Sequence, residues 1–540
     1  MDRREFLQMT IGGAVAAAGS TPIAARDREF DYIIVGAGSS GCVLVHRLTA
    51  DPSVRVLLVE AGGTDYDNPA ITTPGRWVSL IGSRWDWAYQ TEPESELHGR
   101  RIRFPRGKGL GGSSAINAMA FVRGHALDFD GWRDRGNPGW AFADLLPCFR
   151  RSERNSRGAS EYRGADGPLA VSDTADPHAG HEAFLVASST HGYEARPDWD
   201  FNGARQENGA GYYQKNILDG RRHSAAAAFL VPVLSRPNLV LHARALASRL
   251  LIERGRARGI EYVKDGRVEQ ARATREVILC AGAVESPKLL LLSGIGPADH
   301  LRGFDIPVTV DLPGVGGNLQ DHLKVSVRWR GRQELPPSTV SAGLFVRSDP
   351  ARTNTPPDLE YYVGRGLDQP DPFVTITVAL GRPRSRGLVR LASATPGDPP
   401  IIRAQYLHDP ADLEALLKGV RLARALGQAR AYETLAADEL EPGPRARTDA
   451  ELSAFIRAAA DTIFHPAGTC AMGDDRLAVV DAALRVRGVD GLRVADASIM
   501  PDVVNAPTHA ACVMIGERAA DLLAAAATPL SARRTGEAGS

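Results

Sequence analysis

No two of the five cysteines lie close together. Cys42, Cys148, Cys280, Cys470 and Cys512 are scattered, odd in number and free of any CxxC pair. That pattern excludes a disulfide framework and argues against a zinc site, and no metal is expected; the cysteines read as small buried apolar residues. An excess of charge of one sign is also missing. Lys+Arg and Asp+Glu number 64 each, for a formal net charge of +0, so nothing draws the chain to nucleic acid or to an anionic membrane surface. Arg254, Arg256 and Arg258 read as solvated surface. Internal repeats are absent, which disfavours solenoids and propellers. What remains is a chain of 540 residues, 43% hydrophobic and 24% charged, with the composition of an ordinary globular protein and length for roughly two to four domains.

Long hydrophobic runs are missing as well. The weakly apolar stretch Ile11 to Gly19 is rich in Ala and Gly and too short to span a bilayer; no other segment reads as an integral membrane segment. Arg3 and Arg4 precede it, followed by Glu5, Phe6 and Leu7. The arrangement looks like a twin-arginine export signal over residues 1–25, with cleavage near Ala24-Ala25, and implies export of a folded protein to the periplasm or beyond.

Asp31 to Val35 is a short β-branched run, as a buried strand should be. A glycine-rich turn follows, then a one-faced apolar helix from Cys42 to Thr49, then a second strand from Arg55 to Val59 that ends at Glu60. This is a βαβ unit, so the fold class is α/β with a doubly wound parallel sheet. Further strands are expected at Leu239 to His242, Val277 to Cys280, 374–380 and 388–391, and an amphipathic helix at 410–430. The Pro/Gly-rich tract from Gly331 to Pro357 reads as irregular, and residues 526–540 as a disordered tail.

Three glycines in the first turn have distinct tasks. Gly36 permits the tight exit from the strand, Gly38 lets the backbone approach a pyrophosphate, and Gly41 lets the helix pack closely on the sheet. Ser40 lies inside this turn, at the positive end of the helix, and Ala61 follows Glu60. Glu60 stands where a carboxylate accepts hydrogen bonds from an adenosine ribose, and it would repel a ribose 2′-phosphate, so NADP is disfavoured. NAD and FAD both remain open from these residues.

Three longer stretches bear on that choice. The first is Arg106 to Asn117, with Gly107, Gly109, Gly111, Gly112, Ser113 and Ser114. The second is Gly282 to Pro287, continued by Ser293-Gly294-Ile295-Gly296, and the third is His465-Pro466-Ala467-Gly468-Thr469-Cys470-Ala471-Met472-Gly473. Smaller ones are Asp86 to Tyr89, Pro313 to His322 and Asp496 to Pro501. Taken in this order, from about Asp31 to Leu523, they resemble the glucose–methanol–choline (GMC) oxidoreductase family. The resemblance implies FAD in a Rossmann-like domain built from discontinuous segments, with a substrate domain of antiparallel sheet above it. It implies an N-terminal region at 29–325, a mainly substrate-binding region at 326–463, and a return to the FAD domain at 464–525.

The resemblance also implies residue roles. Gly111, Gly112, Ser113 and Ser114 would offer free backbone N–H groups beside the cofactor, Asn117 would lie near the flavin ring, and Gly109 and Ala118 are counted with the cofactor-binding residues. Asp496 and Ala497 would meet the ribityl–pyrophosphate region, with a helix N-cap as a second role for Asp496. Phe464 would wall the ring. Some members attach FAD through a histidine in the Gly-Ser stretch; the matching position here is Ile116, so FAD is expected to be non-covalent.

Alcohol oxidation removes a proton from oxygen and a hydride from carbon, and histidine has a suitable pKa for the proton. By resemblance that base is His465. The family usually places a second His or Asn beside the substrate oxygen. Counting back from Met514 to Arg518, this position falls on Pro507, next to Thr508, and proline carries no proton. His509 is the only nearby candidate to assist. The expected function is therefore an FAD-dependent oxidoreductase acting on a small-molecule alcohol, with oxygen or a quinone or cytochrome as electron acceptor. The alternatives are a lyase of the same fold and a non-catalytic flavin-binding protein.

Overall fold

Apolar β-branched runs followed by glycine turns produce a parallel sheet. Glu29–Val35, Val56–Glu60 and Leu239–Ala243 pair in parallel, and Arg267–Leu279 joins the other side of Glu29–Val35. Leu492–Val494, from the far end of the chain, pairs in parallel with the end of Arg267–Leu279. Arg256–Lys264 and Ala245–Glu253 extend the sheet antiparallel. The central strands are buried on both faces; Ile33, Ile34, Leu57 and Leu58 are fully buried, and each such side chain contributes roughly 1.5–3 kcal/mol relative to exposure. The computed structural model describes residues 29–175, 177–335, 341–363 and 373–527. The twin-arginine segment and the tail after 527 lie outside the described residues.

Below the sheet, helix Ser39–Leu48 packs against helix His509–Ala527. A Cβ at Gly516 would sit 2.8 Å from the Ser40 carbonyl oxygen, so the close crossing needs glycine there. Glu517, fully buried, locks the crossing by accepting from Arg47 Nε at 2.9 Å and Arg151 Nε at 2.7 Å.

A second sheet carries the order Ala436–Glu441, Leu323–Gly331, Phe373–Leu380, Leu359–Val363, Ala342–Val346, Gly209–Tyr212 and Glu194–Ala195. It is antiparallel apart from the last pair. Leu323–Gly331 alternates: Leu323, Val325, Val327 and Trp329 are buried beneath helix Pro410–Gly427, and Lys324 and Ser326 take the opposite face. The helix starts at Asp409, whose carboxylate accepts from Ala411 N, and its close approach rests on Gly427, where a Cβ would meet the Trp329 ring at 2.2 Å. Ala342–Val346 corrects the irregular reading of Gly331 to Pro357. All five of its residues are buried with partners on both sides, so the strand shows no alternation that could reveal it.

Candidate active site

The carboxyl ends of the parallel strands open into one elongated cavity. Its space free of atoms, counting the open mouth, is about 2010 Å³. Val35, Val59 and Cys280 form its floor; Lys324, Glu360 and Tyr362 of the second sheet line it from above.

At one end lies the glycine turn. Gly36 has φ +103°, and a Cβ there would strike the Cys280 carbonyl oxygen at 2.5 Å; at Gly41 a Cβ would lie 2.0 Å from the Gly36 oxygen. These two glycines are required by the protein's own backbone. Gly38 differs. Its φ of −73° and ψ of −169° suit any residue, and a Cβ would meet only the Cys280 oxygen at an ordinary 3.5 Å. Neither conformation nor packing demands glycine, so the demand comes from what fills the cavity. No side chain caps helix Ser39–Leu48 and its first turn holds no acid, so its N-terminus is left to an anion. The turn fits a pyrophosphate.

Glu60 ends its strand in the cavity wall. Its carboxylate accepts from Ala37 N at 2.8 Å, Gly62 N at 2.7 Å and Gly109 N at 3.0 Å. Burial pushes its pKa up and those N–H groups pull it back. Asp496 takes the N-cap role expected of it and lies at the cavity edge. Oδ1 accepts from Ser498 N at 2.8 Å as a helix N-cap, and Oδ2 accepts from Gly282 N at 2.8 Å and Ser286 Oγ at 2.6 Å at the cavity edge.

The N–H groups of the Gly-Ser stretch correct the expectation that they are free. Gly109 N is taken by Glu60, Gly111 N by the Ala37 oxygen at 2.8 Å, and Gly112 N by the Gly109 oxygen at 2.9 Å. The stretch closes into a 3₁₀ turn, Gly112–Ala115, in which Ser114 N donates to the Gly111 oxygen at 3.0 Å. Gly41, Gly109 and Gly111 thus build the wall behind the lining, while Gly36, Gly38, Ser40, Glu60, Ala61, Gly112 and Ser113 line the cavity. Asn117, Ala118, Phe464, Asp496, Ala497, Pro507, Thr508 and His509 line it too.

His465 lines the same cavity. Its backbone N–H donates to Asp321 Oδ1 at 2.7 Å, and Asp321 Oδ2 accepts from Tyr406 and Thr462 hydroxyls at 2.5 Å each. Phe464 before it takes a positive φ of +70°, and its carbonyl accepts from Arg106. This anchored, left-handed kink aims His465. Its Nδ1 lies 3.0 Å from Nδ1 of His322, with the two rings at 89°. Burial pulls the His465 pKa well below the ordinary imidazole value, with His322 and Arg106 adding to the shift. His322 falls to about 4 through burial, opposed by the carbonyls of Val504 and Gly381.

His509 sits elsewhere. It heads helix His509–Ala527 with Nδ1 3.0 Å from Ser39 Oγ, at the glycine-turn helix rather than beside His465. Its Nε2 is buried without a partner among the described residues, and burial, then Arg222, holds its pKa down to about 4. Sequence reasoning missed His322, Lys324, Glu360 and Tyr362. His322 lay within a recognised motif, but nothing local linked it to His465 across 143 positions. Among the described residues no His, Cys, Asp and Glu cluster could hold a metal, and no helix is long and apolar enough to cross a membrane.

With this geometry in place, comparison with known proteins is informative. Residues 30–324 and 383–516 match the N- and C-terminal regions described as GMC oxidoreductase. The chain is similar to mitochondrial choline dehydrogenase of Mus musculus, 43% identical over 538 residues, covering 92% of this chain and 89% of that protein. It is 42% identical to an oxygen-dependent choline dehydrogenase of Sinorhizobium fredii, covering 91% and 95%. Its fold matches the crystal structure of pyridoxine 4-oxidase from Mesorbium loti with TM-score 0.86 and 35% identity, over 91% of this chain and 98% of that one.

Proposed function

The chain belongs to the GMC oxidoreductase family, FAD-binding flavoproteins that act on CH–OH donors, and from that premise we propose that it oxidises a primary alcohol to the aldehyde with His465 as the base. Bound FAD supplies the hydride acceptor. Gly36, Gly38, Ser40 and the start of helix Ser39–Leu48 would hold its pyrophosphate, and Glu60 its ribose.

The observation that carries the reading is His465 in the cavity lining, paired with His322 behind it. One Nδ1 must donate to the other. His322 Nε2 is buried and makes no hydrogen bond among the described residues, and we assign the shared proton to His465 Nδ1. His322 Nδ1 then accepts, His465 Nδ1–H donates, and His465 Nε2 is left as a free lone pair for a substrate hydroxyl. Its lowered pKa keeps that lone pair unprotonated at neutral pH. Mixing the enzyme with benzyl alcohol under anaerobic conditions tests the reading: the flavin band bleaches if the alcohol is oxidised and persists in a cyanohydrin lyase or a mere flavin carrier. Peroxide formation in air separates oxygen from a quinone or cytochrome as acceptor. The twin-arginine-type segment supports export of the folded holoenzyme as part of the same proposal.

Two predictions follow from particular residues. Ile116 offers no nucleophile where a covalent link would form, so acid precipitation releases yellow FAD into the supernatant; flavin that stays with the pellet contradicts this. His509 is turned toward Ser39, and Pro507 has no proton to give or take. His509→Ala therefore slows flavin reduction by less than about tenfold, well short of the effect of removing a positioned base. A slowing equal to that of His465→Ala would make the pair His465 and His509.

A further inference from the structure

The roof above the catalytic end is set by strand register. Lys324 on Leu323–Gly331 and Glu360 on Leu359–Val363 are both opposite Ala379 of the strand between them. All three therefore share one face, two strand spacings apart, or roughly 9–10 Å between the outer Cα atoms. Ala379 is too short to reach either neighbour, and the two charged residues form no ion pair with each other. Both line the cavity that holds His465.

Glu360 is fully enclosed and already engaged: its Oε1 accepts from the Tyr213 hydroxyl at 2.7 Å. Burial raises its pKa to about 7, so it is a weak anion at neutral pH. Lys324 makes no hydrogen bond or ion pair with the described residues. Asp461, its cross-strand neighbour on the other flank, attracts it without reaching ion-pair distance, while Arg328 and Arg103 repel it. Arg106 adds a second cation to the cavity lining. Lys324 is half-buried, and with no partner among the described residues its open side is the cavity it lines.

Resting on the alcohol-oxidation reading above, we propose that Lys324 is a specificity-determining residue that receives an anionic oxygen on the substrate, so that the enzyme prefers alcohols bearing a carboxylate or phenolate and discriminates against quaternary ammonium alcohols. The cation of choline would have to share this space with Lys324 and Arg106, with only a partly ionised, hydrogen-bonded Glu360 to offset them.

The test uses the holoenzyme and three probes: 4-(hydroxymethyl)benzoate, benzyl alcohol and choline, scored as kcat/KM with an artificial acceptor and as anaerobic flavin reduction. The wild type prefers the benzoate over benzyl alcohol and uses choline least. In Lys324→Gln the benzoate-to-benzyl-alcohol ratio falls roughly 10–100-fold, the worth of a hydrogen bond to a charged group. Lys324→Arg, which keeps the charge, retains the preference, and flavin content reports that each variant is folded. An unchanged ratio in Lys324→Gln, or a wild type that favours choline, overturns the proposal. Reduction by none of the three probes would instead overturn alcohol oxidation itself, and this proposal with it.

Discussion

Gly38→Val yields a folded protein that has lost its flavin. The backbone at Gly38 is extended and accepts a β-branched residue, and the added Cβ meets nothing nearer than the Cys280 oxygen at 3.5 Å. The side chain instead projects into the space left at the start of helix Ser39–Leu48. A ligand that comes into backbone contact there meets two methyl groups, and overpacking of that kind costs roughly 1–3 kcal/mol. FAD affinity is then expected to fall by roughly tenfold to a hundredfold or more, with far-UV circular dichroism of the apoprotein unchanged. Gly41→Val is the contrast. A Cβ at Gly41 lies 2.0 Å from the Gly36 oxygen, so this variant loses folded protein rather than flavin alone. Wild-type FAD content in purified Gly38→Val would mean that the pyrophosphate does not approach this turn.

His465→Ala keeps its flavin and loses its chemistry. The side chain stands apart from the glycine turn, paired with His322, and the segment around it is held by backbone contacts: His465 N to Asp321 and the Phe464 oxygen to Arg106. Truncation removes the base and leaves those contacts in place. Flavin reduction by an alcohol should slow by roughly 10²–10⁴-fold, or about 3–5 kcal/mol of barrier. The pH profile gives a second readout. The imidazole is held below its ordinary pKa by burial, His322 and Arg106. Its active, unprotonated form therefore persists as pH falls and is lost only below the usual imidazole range. The acid limb of the wild-type rate should lie below pH 6.5, and it should vanish in His465→Ala. A variant that reduces its flavin at the wild-type rate would remove His465 from the mechanism.

The two ends of the cavity were not equally legible in the sequence. The dinucleotide end is local: a β-branched run, three glycines, a helix and a carboxylate lie within some thirty residues, and Gly36 and Gly41 form the tight turn and close packing their spacing implies. Even there the sequence misleads in one respect. The Gly-Ser stretch reads as a row of free N–H groups, yet Gly109, Gly111 and Gly112 spend theirs on Glu60, Ala37 and each other. Glycine content signals a tight turn; it does not say which groups the turn consumes.

The catalytic end is non-local. His465 stood out only because its neighbours resemble a family segment, and its partner His322 lies 143 residues away, just before strand Leu323–Gly331. Lys324 and Glu360 gave no signal at all. Lys324 is one of three basic residues in Leu323–Gly331 and Glu360 the one acid in Leu359–Val363, and only the shared opposition to Ala379 places them on one face over the same space. Register is fixed by burial of the other face, Leu323, Val325 and Val327 against helix Pro410–Gly427, and that burial could not be assigned before the sheet was known. His509 shows what sequence spacing leaves open: two residues from Pro507, it lines the same cavity with Nδ1 turned to Ser39 Oγ, a contact no local pattern announces.

The central claim is that an alcohol gives its carbinol hydride to FAD in this cavity, with the hydroxyl proton passing to His465. The most direct measurement is anaerobic stopped-flow mixing of the holoenzyme with an alcohol, unlabelled or deuterated at the carbinol carbon, followed at the flavin band near ~450 nm. The account predicts bleaching by both, markedly slower for the deuterated alcohol, and a collapse of both rates in His465→Ala. A flavin that stays oxidised with every alcohol tried, or that bleaches equally fast in wild type and His465→Ala, would contradict it.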